Sequence, residues 1–437
     1  MMKTPISIQL SMQKIKFPSP GKWSKLIERP SVKSAELSPL VEKIFSDIRK
    51  NGDTAVARYT RRFDNVSVKK TRVSETEIKE AAGKVSKDLK EAIQIAAQNI
   101  HKFHAAQIEK PKIIKTMKGI YCWRESRPIE KVGLYIPGGS APLFSTVLML
   151  GIPAQTAGCK EIVLCTPPDV HGQIHPAILY AAKLAGISHI CKVGGIQAIA
   201  ALTYGTQQIP RADKIFGPGN QYVTAAKQYA QQMGVAIDLP AGPSELLIIA
   251  DQTCNPAFVA ADLLSQAEHG PDSQVVLLSD DEKILDAVLI EIHKQLKMLP
   301  RIEIAREALR HSKSILLSSI DACMQFSNLY APEHLILAVK NPKSRIRKII
   351  SAGSVFLGNY SCESAGDYAS GTNHTLPTNG YASRYSGVSV DSFVKKITFQ
   401  EITRKGIKAL GPTIERMAQE EKLFAHQNAV TIRLKTM

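Results

Sequence analysis

The chain has 437 residues, 44% hydrophobic and 22% charged, which suits a soluble protein of two or three domains with a large core. No apolar run is long enough to span a bilayer, and Met1 to Pro18 carries lysines without a continuous apolar stretch, so neither a membrane protein nor a secretory signal is expected. The net charge of +17 sits mainly in residues 1–130, with 27 Lys and Arg against 14 Asp and Glu; residues 131–270 carry 7 against 8 and the remainder 22 against 17, and with acids interleaved and aromatics at 6% this argues against a nucleic-acid partner.

Residues 1–30 read as irregular, punctuated by Pro5, Pro18, Pro20 and Pro30. Ser38 reads as a helix cap with Pro39 at the first helical position, and Asn51-Gly52 as a stop before a second helix from Asp53 to Phe63. Ser74 with Glu77 three later is a capping box, opening a helical stretch that breaks near Val85-Ser86 and runs to about Ile108. At Lys131 the texture changes. Short Val, Ile and Leu runs at 132–136, 161–165, 189–193 and 214–216 alternate with helices at 144–158, 174–185, 196–204 and 221–233. A second unit follows, with strands at 245–250, 274–278, 314–317, 334–338 and 354–357 and helices at 257–269, 281–297 and 342–350. From Gly358 the chain is polar and Gly-rich through Gly387, and a final helical arm runs from about Lys405 to Asn428. The alternation argues for parallel sheets covered by helices.

In such sheets ligands bind beyond the carboxyl ends of the strands. Three of those ends carry turn chemistry: Pro137 to Ser140, Gly194 to Gln197, and Gly217 to Asn220. None is the standard dinucleotide fingerprint, and tight turns use the same residues for structural reasons. Three in one unit favour a nucleotide-like ligand. Gln266 and His269 lie three apart at the end of the 257–269 helix, before the stop Gly270-Pro271, and form half of a nitrogen- and oxygen-binding metal site. Taken alone, such a pair is more often solvated surface. Glu333-His334 opens a strand and suits acid–base work, though an exposed acidic loop reads the same way. Asp367 and His374 lie in the late Gly-rich run, Ser244 in a loop before a strand, and Glu421 and His426 on the terminal arm. The seven cysteines are scattered without a CxxC pair, as expected of thiols in a reducing cytoplasm.

Assembled in order, VGLYIPGG, GGIQAIAAL, KIFGPGN, AGPSE, SQAEHGPDSQ, APEHL, AGSVFLGNYS, GDYASGTNHTLPT, SGVSV and EKLFAH closely resemble the histidinol dehydrogenase family over nearly the whole chain. The resemblance implies an α/β fold of two incomplete Rossmann-like parallel-sheet domains, with a helical N-terminal region and a small C-terminal dimerisation arm. The implied division is an N-terminal segment 1–30, a first α/β domain from 31–133 and 246–387 on the zinc and substrate side, a second from 134–245 on the NAD side, and a C-terminal arm 388–437. It further implies a cytoplasmic, zinc-dependent homodimer of histidine biosynthesis, oxidising L-histidinol through the aldehyde to L-histidine and reducing two NAD+.

Carried over by position, Gln266, His269, Asp367 and His426 would hold one zinc per subunit. Tyr135, Gln197 and Asn220 would contact NAD+. Ser244, Gln266, His269, His334, Asp367, Glu421 and His426 would contact substrate, with Glu333 and His334 as the acid–base pair and His374 as a further substrate-side residue. His426 and Glu421 would reach across the dimer into the partner's site. Alternatives are a zinc hydrolase on the same scaffold, a relative acting on another amino alcohol, and a basic nucleic-acid-binding module. A thiohemiacetal route would use Cys122 or Cys159.

Overall fold

The computed structural model describes residues 12–30, 37–138, 141–187, 189–239 and 242–436. Gly139 and Ser140 of the first turn, Pro240 and Ala241 before Ser244, and the first eleven residues lie outside them.

From Met12 on, the N-terminal segment forms strand β1 (Gln13–Lys16) and a short helix α1 (Trp23–Leu26). Helix α2 (Ser38–Asp64) is one element kinked at Gly52, which adopts φ 50°, so the expected stop survives as a bend. Its cap is Leu37, one residue earlier than expected. The capping box of Ser74 and Glu77 is present and opens α3 (Glu75–Lys84); Ser86 caps α4 (Lys87–Ala105).

The middle unit starts after β2 (Ile114–Met117) and β3 (Ile120–Pro128). It runs β4 (Lys131–Tyr135), α5 (Phe144–Ala157), β5 (Glu161–Thr166), α6 (Pro176–Leu184), β6 (His189–Lys192), α7 (Gly195–Tyr204), β7 (Lys214–Phe216), α8 (Gln221–Gln232) and β8 (Ala236–Ile237). The sheet is parallel, in the order β6-β5-β4-β7-β8. The order reverses between β4 and β7, which makes the loops after these two strands the crevice of the sheet.

The second unit runs β9 (Glu245–Ala250), α9 (Pro256–Ala267), β10 (Gln274–Ser279), α10 (Glu282–Leu296), α11 (Ile302–Arg310), β11 (Lys313–Leu316), α12 (Ile320–Tyr330), β12 (His334–Ala338), β13 (Ser354–Leu357) and the short α13 (Glu363–Tyr368). Its order, β1-β11-β10-β9-β12-β13, repeats the middle unit's topology with β1 added at one edge. Every residue of β9, β10 and β12 is buried, because helices cover both faces and an uninterrupted apolar run is the stable choice.

Helices α3, α4, α5 and α6 share one core against the middle sheet, and α2, α7 and α8 share the other. The helical region 38–105 therefore packs on the middle sheet rather than beside 246–387, as the expected division had it. Its packing partner is chosen by shape and area, which local sequence does not encode. The last strand, β14 (Val394–Ile402), pairs antiparallel with β3 from Val394–Pro128 to Ile402–Ile120, and β2 completes a three-stranded sheet. Helices α14 (Arg404–Glu420) and α15 (Phe424–Lys435) then form a hairpin. The terminal arm is thus a strand followed by two helices, not one helix. No helix of the described residues is long and apolar enough to cross a membrane.

Candidate active site

A cavity of about 520 Å³ lies where the carboxyl ends of β4 and β7 meet the amino ends of β9, β10 and β12. Its walls include Pro137, Gly217 to Asn220, Ser244, Gln266, His269, Glu333, His334, Asp367 and His374. A larger cavity of about 980 Å³ adjoins it on the middle sheet and is lined by Tyr135, Gly195, Gln197, Asn220 and Asp64. Pro137 and Asn220 border both.

Helix α9 delivers the first residues. Asn255 caps it through its side chain, Pro256 stands in its first turn, and Val259, Ala260, Leu263, Leu264 and Ala267 are buried on the sheet. Gln266 is fully buried too, yet neither its amide oxygen nor its amide nitrogen has a partner. Leaving such groups unpaired costs on the order of 1–3 kcal/mol. The helix ends at Ala267, so His269 stands past the cap Glu268 rather than in the last turn, with its side chain 47% exposed. Crowding lowers the His269 pKa against the pull of Asp367, which leaves a neutral imidazole ready to ligate.

Asp367 is on α13, not in an irregular run, and four residues after Glu363 on the same helix face. Its Oδ2 is 3.7 Å from His269 Nε2 and its Oδ1 is 3.6 Å from His334 Nε2. Burial raises its pKa, but His334, His374 and His269 hold it below the usual carboxylate range. Ligand atoms of His269, Glu363 and Asp367 lie within 4.8 Å of one another. An orphaned amide beside a neutral imidazole and an ionised carboxylate fits a cation that accepts nitrogen and oxygen, as zinc does.

Helix α12 ends in a left-handed Ala331 (φ 50°), and Glu333 and His334 follow at the start of β12. His334 Nδ1 is 3.2 Å from the Glu245 carbonyl and 3.8 Å from both Glu333 Oε2 and Glu363 Oε1. Burial pulls the His334 pKa down, but Glu333, Asp367 and Glu363 raise it further, to about 10. Burial likewise pushes Glu333 and Glu363 up to about 8 each, against the pull of His334. A cation held at Asp367 would offset part of this carboxylate field and lower the His334 pKa from there.

The other expected residues divide. His374 lines the cavity, but both ring nitrogens are engaged, Nδ1 at 2.8 Å from the Asp367 carbonyl and Nε2 at 3.1 Å from Thr146. It braces Asp367. Glu421 ends α14 and His426 is on α15; both are exposed, and neither lines this chain's cavity. No cysteine lines either cavity; Cys122 sits in the β3–β14 pair, and burial pushes Cys159 up to about 11. The thiohemiacetal route has no placed nucleophile.

In the larger cavity the Tyr135 hydroxyl accepts from the Gly195 N–H at 3.1 Å. The Asn220 side chain accepts from Tyr222 and Val223, capping α8. Gly217 (φ 127°) lets its turn press on β4, where a Cβ would lie 2.0 Å from the Tyr135 carbonyl oxygen. Gln197, nearly fully buried, donates weakly to Asp64 at 3.4 Å, and its Oε1 has no partner. The N-termini of α7 and α8 point here and favour an anionic group.

A family model for histidinol dehydrogenase matches residues 27–434. The chain belongs to the histidinol dehydrogenase family. It is 56% identical over 426 residues to histidinol dehydrogenase of Bacteroides thetaiotaomicron, covering 98% of this chain and 100% of that one. It is 56% identical over 423 residues to the enzyme of Bacteroides fragilis, with 97% and 99% covered. The crystal structure of histidinol dehydrogenase from Elizabethkingia anophelis matches with a TM-score of 0.97 at 63% identity, over 98% of this chain and 99% of that one.

Sequence reasoning missed Glu363, Asp64, Thr146 and the role of Glu245. Glu363 had a signal, its spacing of four from Asp367 within ESAGD. Asp64 and Thr146 reach the cavities from distant elements and had none, while Glu245 lines neither cavity and acts through its peptide groups, which sequence does not show.

Proposed function

We propose that this protein is a zinc-dependent, NAD+-linked histidinol dehydrogenase, oxidising L-histidinol through L-histidinal to L-histidine in cytoplasmic histidine biosynthesis. The carrying observation is the buried Gln266 amide with no protein partner, standing with His269 and Asp367 beside Glu333 and His334. Family membership and the adjoining cavity support the same reading.

Gln266, His269 and Asp367 would hold the metal, with His426 of a second copy as the fourth ligand. The metal would supply a template that orients the substrate's nitrogens and its carbinol carbon. Tyr135, Gln197 and Asn220 would hold NAD+ in the larger cavity, where it would supply the hydride acceptor. Within the chain, the Glu245 carbonyl accepts the Nδ1–H of His334; with the metal at Asp367, Nε2 would give up its proton and present its lone pair to the cavity. Nε2 takes the hydroxyl proton of the alcohol. Glu333 Oε2 accepts from the Glu245 N–H at 2.8 Å, which leaves Oε1 to take a proton from the water that hydrates the aldehyde. Ser244 of this chain and Glu421 of the second copy would contact substrate, and His374 holds Asp367 in place.

The homodimer with exchanged arms belongs to this reading. Helices α14 and α15 expose Met417, Leu423, Phe424 and Ile432, an apolar surface that a second copy would cover.

The test is NADH formation from NAD+ and L-histidinol with purified protein, before and after chelation and zinc restoration. About two NADH per histidinol, lost on chelation and regained with zinc, is expected. No NADH from zinc-loaded protein would overturn the proposal and redirect attention to other amino alcohols.

A further inference from the structure

Arg29 closes the N-terminal segment, lines neither cavity, and has no part in the chemistry above. It is nonetheless buried, 10% exposed at the side chain, and forms a two-pronged pair with Glu245, which is 1% exposed. Arg29 Nε donates to Glu245 Oε1 at 2.9 Å and Nη2 to Oε2 at 3.0 Å. The guanidinium also lies 3.8 Å over the Tyr330 ring and donates to the Tyr330 carbonyl, at the end of the helix that leads into Glu333. The Asn379 N–H donates to Glu245 Oε1 at 2.6 Å, which ties the 376–381 strap of the cavity wall to the same carboxylate.

The peptide groups of Glu245 hold both members of the acid–base pair. Its N–H donates to Glu333 Oε2 at 2.8 Å, and its carbonyl faces His334 Nδ1 at 3.2 Å. A buried ion pair is a poor source of stability, since apolar side chains of similar volume often do as well. What it supplies is position: a planar fork bound at two points fixes where the first residue of β9 sits.

We propose that Arg29 and Glu245 are positioning residues that act through the residue-245 peptide to set Glu333 and His334 together, so that the N-terminal segment governs turnover. The proposal rests on the reading of Glu333 and His334 as the acid–base pair.

The experiment uses the full-length, zinc-loaded protein with Arg29→Ala, Arg29→Lys and Glu245→Gln. Metal content, melting temperature, and kcat and KM for histidinol and NAD+ are measured, with and without millimolar guanidinium. Arg29→Ala is expected to lose kcat by about ten-fold or more while both KM values stay within about two-fold. Guanidinium should restore a large part of that kcat. Arg29→Lys keeps the charge without the fork, and serves if the alanine variant does not fold; it should fall between alanine and wild type. A variant with lowered melting temperature but kcat within about two-fold of wild type, or a guanidinium effect on melting temperature alone, overturns the proposal.

A second readout separates it from the proposed activity. The Nδ1 proton of His334, assigned by its loss in His334→Gln, is followed as a downfield proton resonance. Should wild type fail to oxidise histidinol, a resonance that disappears in Arg29→Ala still supports positioning, and one unchanged overturns it.

Discussion

Gln266 is the residue where stability and function pull apart most clearly. Its amide is buried without a partner, so the metal-free protein carries an unpaired donor and acceptor in its core. Gln266→Met keeps the volume and removes both. The chelated variant is therefore expected to be more stable than the chelated wild type, by about 1–3 kcal/mol in denaturant unfolding. Zinc should raise the melting temperature of wild type and not of the variant. A variant less stable than wild type without metal would mean that the amide is satisfied by the protein or by water.

Asp64 behaves similarly in the larger cavity. Burial raises its pKa from 3.8 to about 6. The folded state then binds the proton more tightly than the unfolded one, so this group's contribution to stability is complete at low pH and lost as pH rises through about 6. Asp64→Asn should melt close to wild type near pH 4 and above it at pH 7. A melting difference that does not change with pH would place Asp64 in water.

At the scale of elements, most strands of both sheets are legible because they are short runs rich in Val, Ile and Leu, and β4 to β7 are also closed by Gly or Pro. Elements without that signal are not. β1 is Gln-Lys-Ile-Lys, and β14 mixes Lys, Thr, Gln and Glu with scattered apolar residues on a surface sheet, so each resembles loop. α11 and α12 went unread although α11 has the helical spacing of apolar residues. At 342–350 the expected helix is a 3-10 turn over Pro342–Lys348. The Gln266, His269 and Asp367 group could be assigned by resemblance, but its closeness to Glu363 depends on α13, which is six residues long.

The turn from α12 into β12 carries its own prediction. Ala331 sits at φ 50°, a conformation that costs a residue with a Cβ on the order of 1–2 kcal/mol. Ala331→Gly should relieve that strain without touching Glu333 or His334, and raise the unfolding free energy by up to about 1 kcal/mol. Destabilisation would show that the alanine methyl is needed for packing, since the residue is 1% exposed.

For the whole molecule, the decisive question is where His426 acts. It is exposed on an arm whose β14 is paired over nine residues with β3 of the same chain. Two defective chains answer it: His426→Ala, with a sound body, and Glu333→Gln, with a sound arm. If arms are exchanged, mixed dimers hold one site built from both sound parts, and co-expressed chains should recover activity that neither homodimer has. Sites built within one chain would show no recovery.

The facing of strand ends also has a consequence for traffic. One wall of the site is made by carboxyl ends of the middle sheet and the N-termini of α7 and α8; the opposite wall is made by amino ends of the second sheet and the C-termini of α9 and α12. Helix N-termini attract anions and C-termini attract cations, so a pyrophosphate and a metal ion are drawn to opposite sides of one seam. Among the described residues the two cavities share only Pro137 and Asn220. On the proposed reading, an oxidation in two stages would have to discharge one reduced nucleotide and admit another while a reactive aldehyde waits. With separate berths on either side of the seam, the nucleotide would turn over by its own door while the intermediate stays moored.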